Sequence, residues 1–146
     1  MPGFLPDTSC MIAAVCAWHQ HHAPARGEIT RRLRAAEPMF IAAPAAVEAY
    51  AVLTRLPPPY RLASADALRL IEASFTSAGR LIALSAGSYV ALLRRAAAEK
   101  IVGGRTYDAV IAECVLNETD VALLTFNEDD FSSFAERGLE IVVPGR

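Results

Sequence analysis

At 146 residues, 53% of them hydrophobic and 21% charged, the chain is long enough to bury a sizeable core, which excludes a disordered solvating segment or a fibrous repeat. Residues 1–146 therefore read as one domain. A formal net charge of −2 and no long basic tail exclude recognition of nucleic acid by overall charge, leaving only local patches.

Phe4 and Leu5 predict a very short strand, with Pro6 tolerable only near its end or edge. Asp7, Thr8 and Ser9 then offer three caps for a helix through the apolar stretch Met11 to Trp18. The apolar run Cys10–Trp18 has nine residues, against the roughly 20 needed to span hydrocarbon. Asp7 also comes too early for a signal peptide with a basic start, so the expectation is a soluble, unexported, cytoplasmic chain with no membrane contact. Cys10, Cys16 and Cys114 cannot all pair within one chain and form no Cys-x-x-Cys motif, so each is expected to be a buried, reduced thiol.

A loop carrying His19, His21, His22 and Pro24 precedes a second helix, Arg26 to Ala36, with Ile29 and Leu33 on its inward face. The histidines lack cysteine partners at zinc-binding spacing and read as exposed. The basic run Thr30–Arg34 reads as a solvated helix face. Met39–Ala42 predicts a short buried strand, and Ala43-Pro44 opens a helix with Val47, Tyr50, Ala51 and Thr54 at helical spacing, stopped by Pro57-Pro58-Pro59. Ala65 to Phe75 predicts a helix with Leu68, Ile71 and Phe75 along one stripe. Arg80–Leu84 reads as a strand, and Ser85 caps a helix containing Tyr89, Leu92, Leu93 and Ala96. After Gly103-Gly104, Thr106 to Leu116 is helical with Tyr107, Ile111, Cys114 and Val115 inward; Val121–Thr125 is the clearest strand, and Glu140–Val143 is the last.

Apolar strands alternating with helices favour an α/β fold, a mostly parallel central sheet flanked by helices on both faces. Right-handed crossovers gather the strand C-terminal ends on one rim, where Asp7 and the segment after Leu124 both belong. Taken singly, Asp7 is a helix cap, Glu48 a face residue, Asp108 a first-turn acid and Asn127-Glu128-Asp129-Asp130 a polar loop cap. Taken together they describe an oxygen-rich pocket. Carboxylates packed in a cleft repel one another unless a cation or donor compensates, and oxygen ligands suit Mg²⁺ or Mn²⁺ with retained waters. Thr8 or Ser9 is placed to hold Asp7 or a water, and Glu113, about 140° around the helix from Asp108, is a poor member of the same site.

In their order and spacing, Leu5-Pro6-Asp7-Thr8-Ser9, Pro44–Tyr50, Thr106–Ala112 and Leu123–Phe131 resemble the PIN domain, most closely the VapC-type toxins of bacterial toxin–antitoxin pairs. The resemblance spans essentially the whole chain. It implies a homodimeric, Mg²⁺- or Mn²⁺-dependent endoribonuclease acting on structured RNA such as transfer or ribosomal RNA, held in check by a VapB-type antitoxin. It carries the first three family acids onto Asp7, Glu48 and Asp108, the metal-holding set. The fourth falls at Asn127 in Thr125-Phe126-Asn127, where an acid is usual, so either Asn127 acts as a neutral group or Asp129 or Asp130 substitutes. Arg105, with Arg94, Arg95 and Lys100, is a candidate phosphate track. The neutral Asn127 and the lack of a strong basic run motivate a rival reading, a noncatalytic RNA- or protein-binding module on the same fold.

Overall fold

The computed structural model describes residues 2–146. Five short strands and seven helices alternate: β1 Gly3–Pro6, α1 Thr8–Val15, α2 His22–Arg34, β2 Phe40–Ala42, α3 Ala43–Arg55, α4 Ser64–Ile71, β3 Arg80–Ile82, α5 Ala86–Ala98, α6 Arg105–Leu116, β4 Val121–Leu124, α7 Glu128–Ala135 and β5 Glu140–Val142. Strands β1, β4 and β5 pair in parallel in the order β1-β4-β5, and β2 pairs in parallel with β3. A parallel bridge from Phe4 to Met39, with the Phe4 N–H donating to Pro38 O at 3.0 Å, joins the two groups into the order 3-2-1-4-5. All the described strand pairs are parallel.

β1 and β4 are buried along their whole length, as strands covered on both faces must be. Phe4 and Leu5 of β1 and Leu123 and Leu124 of β4 are the core they contribute, with Ile41 of β2 beside them. The chain leaves β1 toward β2 on one side and later returns to β4 on the other. Strand order therefore reverses at β1, and such reversals open a crevice beyond the strand C-termini. Among the described residues no helix is long and apolar enough to cross a membrane. All three cysteines are free and buried, and burial raises each thiol pKa, so they remain protonated packing groups.

Several expected boundaries and faces are corrected. The first helix does not reach Trp18; it ends at Val15, where the Cys16 N–H caps Ile12 O and Trp18 emerges in a turn. The second begins four residues early, at His22, because Pro24 in its first turn sacrifices no internal hydrogen bond. Leu33 is exposed there while Ile29 is buried, and Arg31 and Arg32 pair with Glu28. In α3 the inward stripe is Ala45, Ala49 and Leu53, leaving Val47 and Tyr50 exposed. Leu68, Leu93 and Tyr107 likewise face out, while Ala67 and Ile71, Leu92 and Ala96, and Ile111, Cys114 and Val115 face in. The predicted helix to Phe75 changes pitch after Ile71 into a π-helical turn, Glu72–Thr76, that seats Phe75 in the core. The segment expected to be a polar loop cap is instead the first turn of α7, which buries Phe131 and Phe134.

Candidate active site

Asp7 follows the last residue of β1 and caps α1. Its extended backbone, φ −73° and ψ 177°, lets the carboxylate fold back so that Oδ1 accepts the Cys10 N–H at 2.9 Å. Ser9 Oγ donates to the same oxygen at 2.6 Å, and Thr125 Oγ1 donates to Oδ2 at 2.5 Å. Both hydroxyls are themselves held from the β4 side: Ser9 Oγ accepts the Phe126 N–H at 3.3 Å and Thr125 Oγ1 accepts the Asn127 N–H at 2.9 Å. The network ties the ends of β1 and β4 together around one carboxylate.

That carboxylate is 3% exposed. Burial raises its pKa above the ordinary carboxylate value; hydrogen bonds from Ser9, Thr125 and Cys10 oppose the rise, and the charge of Glu48 adds to it. A carboxylate has about four lone-pair sites. Three are occupied here, so one on Oδ2 stays open.

Glu48 stands half-buried on α3, and Asp108 half-buried in the first turn of α6. The Asp108 pKa is pushed up to about 6, by burial first and then by the charges of Asp130, Asp7 and Glu48, with Arg105 pulling it down. Asp7, Glu48 and Asp108 line one cleft of about 410 Å³, together with Thr8, Ser9 and Asn127. Asn127, before α7, lies at the cleft wall with its side chain exposed and making no cap to the helix. Asp129 is exposed, whereas Asp130 is half-buried and is the largest charge acting on Asp108. Of the three fourth-position candidates, Asp130 is the acid that joins the field of the other carboxylates.

The donor set is all oxygen, which suits a hard divalent cation. Thr8 Oγ1 is buried at the cleft without a hydrogen-bond partner, and Asp7 Oδ2 retains one free lone pair. Among the described residues no three His, Cys, Asp or Glu side chains stand close enough to enclose an ion by themselves. The residues therefore fit a cation that keeps part of its water shell and touches few carboxylates directly.

Sequence reasoning missed two contributions. Thr125 locks Asp7, and its signal was a hydroxyl at the end of an otherwise apolar strand. His19 and His21, expected to be exposed, are partly buried in the cleft wall, and His22 bonds Ala13 O through Nδ1 at 2.9 Å. Nothing in a Trp-His-Gln-His-His spacing announces which wall a turn will face.

The PIN domain profile matches residues 4–137. The chain belongs to the PIN-domain family. Within it the chain is VapC-type: Ribonuclease VapC40 of Mycobacterium tuberculosis is 42% identical over 106 residues, 73% of each chain. Ribonuclease VapC27 of the same organism is 32% identical over 142 residues, 97% of each chain. Among solved structures, this PIN domain is similar to the DNA-bound VapBC from Salmonella typhimurium, with a TM-score of 0.69 at 20% identity, covering 98% of both chains. It is also similar to Mycobacterium tuberculosis VapC20, described as a Sarcin-Ricin loop cleaving toxin, with a TM-score of 0.66 at 16% identity over 90% of this chain and 95% of that one. Likenesses at such identity establish the PIN fold.

Proposed function

We propose that this PIN domain is the toxin of a toxin–antitoxin pair, a Mg²⁺-dependent endoribonuclease, Mn²⁺ serving in its place, that hydrolyses phosphodiester bonds in structured RNA. The observation that carries the reading is the convergence of Asp7, Glu48 and Asp108, from three elements far apart in the chain, on one cleft where each charge is felt by the next. The ribonuclease names of its VapC relatives support it.

A divalent cation bound there supplies Lewis-acid stabilisation of the phosphate and an acidified water. The chain's own residues do the rest. Asp7, held by Ser9, Thr125 and the Cys10 N–H, offers a fixed oxygen in a nearly water-free setting. Asp108 and Glu48, from α6 and α3, would hold the waters of a bound cation, and Asp130, whose charge acts on Asp108, would supply the fourth negative charge that Asn127 cannot. That substitution weighs against a degenerate, noncatalytic site. Arg105, one turn before Asp108, offers positive charge for an incoming phosphate, a contact that salt weakens.

This reading calls for a VapB-type antitoxin as partner and for a cytoplasmic site of action. It also assigns the expected homodimer to the exposed apolar face of α3 and α6, where Pro44, Val47, Ala51, Tyr107 and Ile111 line a shallow groove. The direct test is expression in cells with and without the neighbouring small open reading frame, mapping new RNA 5′ ends. Growth arrest with discrete ends is the expected outcome; intact RNA around a folded, metal-loaded protein would sink the reading.

A further inference from the structure

The acidic cleft poses a binding problem that its carboxylates make worse. Negative side chains repel a phosphate strand, and among the described residues that line the cleft none is Lys or Arg. Arg105 acts on Asp108 from beside the cleft, so contacts that do not depend on charge are needed in addition to it.

A row of aromatic rings begins inside the cleft and runs out of it. Phe126 stacks on His21 with ring centroids 4.4 Å apart and planes 11° from parallel. His21 lies 5.7 Å from His19, His19 lies 5.8 Å from Trp18, and Trp18 meets Tyr60 at 4.4 Å. Phe126, His21 and His19 line the cleft, whereas Trp18 and Tyr60 are 47% and 43% exposed. The exposed end is built rather than loose: the Tyr60 N–H donates to Pro57 O at 3.0 Å, closing a turn whose prolines have fixed φ. Inside, the His21 N–H donates to His19 Nδ1 at 3.0 Å. That bond leaves the His19 proton on Nε2, a neutral ring with one N–H to offer.

Unpaired nucleotides present what such a row can take. Their splayed bases stack on aromatic faces and expose polar edges to donors, and stacking carries no charge penalty beside carboxylates. We infer that Phe126, His21, His19, Trp18 and Tyr60 form a nucleobase-stacking platform that seats unpaired ribonucleotides beside the scissile phosphate. The inference rests on the ribonuclease reading and adds the side chains that grip the bases of its substrate.

Trp18 is the only tryptophan, so its fluorescence reports on its own ring. With a chelator present to stop cleavage, the wild-type protein is titrated with a hexa-adenylate oligoribonucleotide and with a six-unit ribose-phosphate strand lacking bases. Saturable quenching by the first and none by the second is expected, with Tyr60→Ala raising Kd by about tenfold, one decade being ~1.4 kcal/mol. In turnover with Mg²⁺, Trp18→Ala raises KM by about tenfold with a smaller change in kcat, and Trp18→Phe, which restores a ring, recovers KM. Both side chains are half-exposed, and unchanged circular dichroism and melting of the variants separate lost stacking from lost fold. Cleavage with wild-type KM by both alanine variants, equal quenching by the baseless strand, or quenching only by an antitoxin peptide overturns the platform and leaves the nuclease standing. Base-dependent quenching by a protein that cleaves nothing keeps the platform and removes the nuclease.

Discussion

Asp7 is the residue on which the site depends, because it is both buried and ionisable. Its hydrogen bonds do not fully offset its desolvation, so the metal-free protein holds this charge at a cost. Asp7→Asn keeps a side-chain oxygen for the Cys10 N–H and removes the charge. We expect the variant to melt at or above the wild-type temperature without metal, and to lose RNA cleavage by about 100-fold or more, since several kcal/mol of electrostatic stabilisation go with the ion. Calorimetry and a cleavage assay on one sample measure both. Asp108 adds a pH dependence. Its folded-state pKa, raised to about 6, lies above the unfolded value, so its contribution to stability is fully present below about pH 4 and is lost as pH rises through 6. A divalent cation competes with that proton. Added Mg²⁺ should therefore raise the melting temperature more at pH 7.5 than at pH 5, and Asp108→Asn should flatten the difference; an equal Mg²⁺ effect at both pH values would contradict the assignment.

Helices and strands were readable in kind, but their faces less so. In α3 both Val47/Tyr50/Ala51/Thr54 and Ala45/Ala49/Leu53 satisfy helical spacing, and the bulkier set is the outward one. Small residues face in because strand β2 and helices α1, α4 and α6 pack against α3, and close packing accepts alanine where valine does not fit. α7 was missed because its acidic first turn resembles a loop, although Phe131 and Phe134 three apart are the signal of a short amphipathic helix. Phe131 is fully buried, so Phe131→Ala should cost about 3–5 kcal/mol in urea unfolding and loosen the segment that presents Asp130. Gly79, between the π-helical turn and β3, marks another tight join. A Cβ there would stand 2.8 Å from Phe75 O and 2.9 Å from Ile41 Cγ1. Gly79→Ala should destabilise by about 1–3 kcal/mol in the same assay, because neither backbone nor buried strand can retreat.

For the molecule as a whole, the strand order 3-2-1-4-5 explains why residues about a hundred positions apart share one pocket. The reversal at β1 leaves an opening at its C-terminal end, and β4, α3 and α6 turn acids or hydroxyls toward it. The face opposite in character, apolar and solvent-exposed along α3 and α6, is where Val47 is 71% and Tyr107 67% exposed. Apolar groups so exposed favour association. Val47→Asp should lower the sedimenting mass from two chains to one while leaving the circular dichroism intact. A wild-type protein that sediments as one chain would remove the homodimer from the reading.

The alternation of apolar strands with helices, the cap at Asp7 and the acids at Glu48 and Asp108 follow from local chemistry: side-chain periodicity, hydrogen-bonding capacity and charge are properties of neighbouring residues. That Asp130 is the charge nearest in effect to Asp108, that Thr125 locks Asp7, and that His19 and His21 wall the cleft were decided only by folding. Those relations join residues across 118 positions of chain, or depend on which way a turn faces. Sheet order and the competition of bulky groups for a finite core settle them, and neither quantity is written in any single segment.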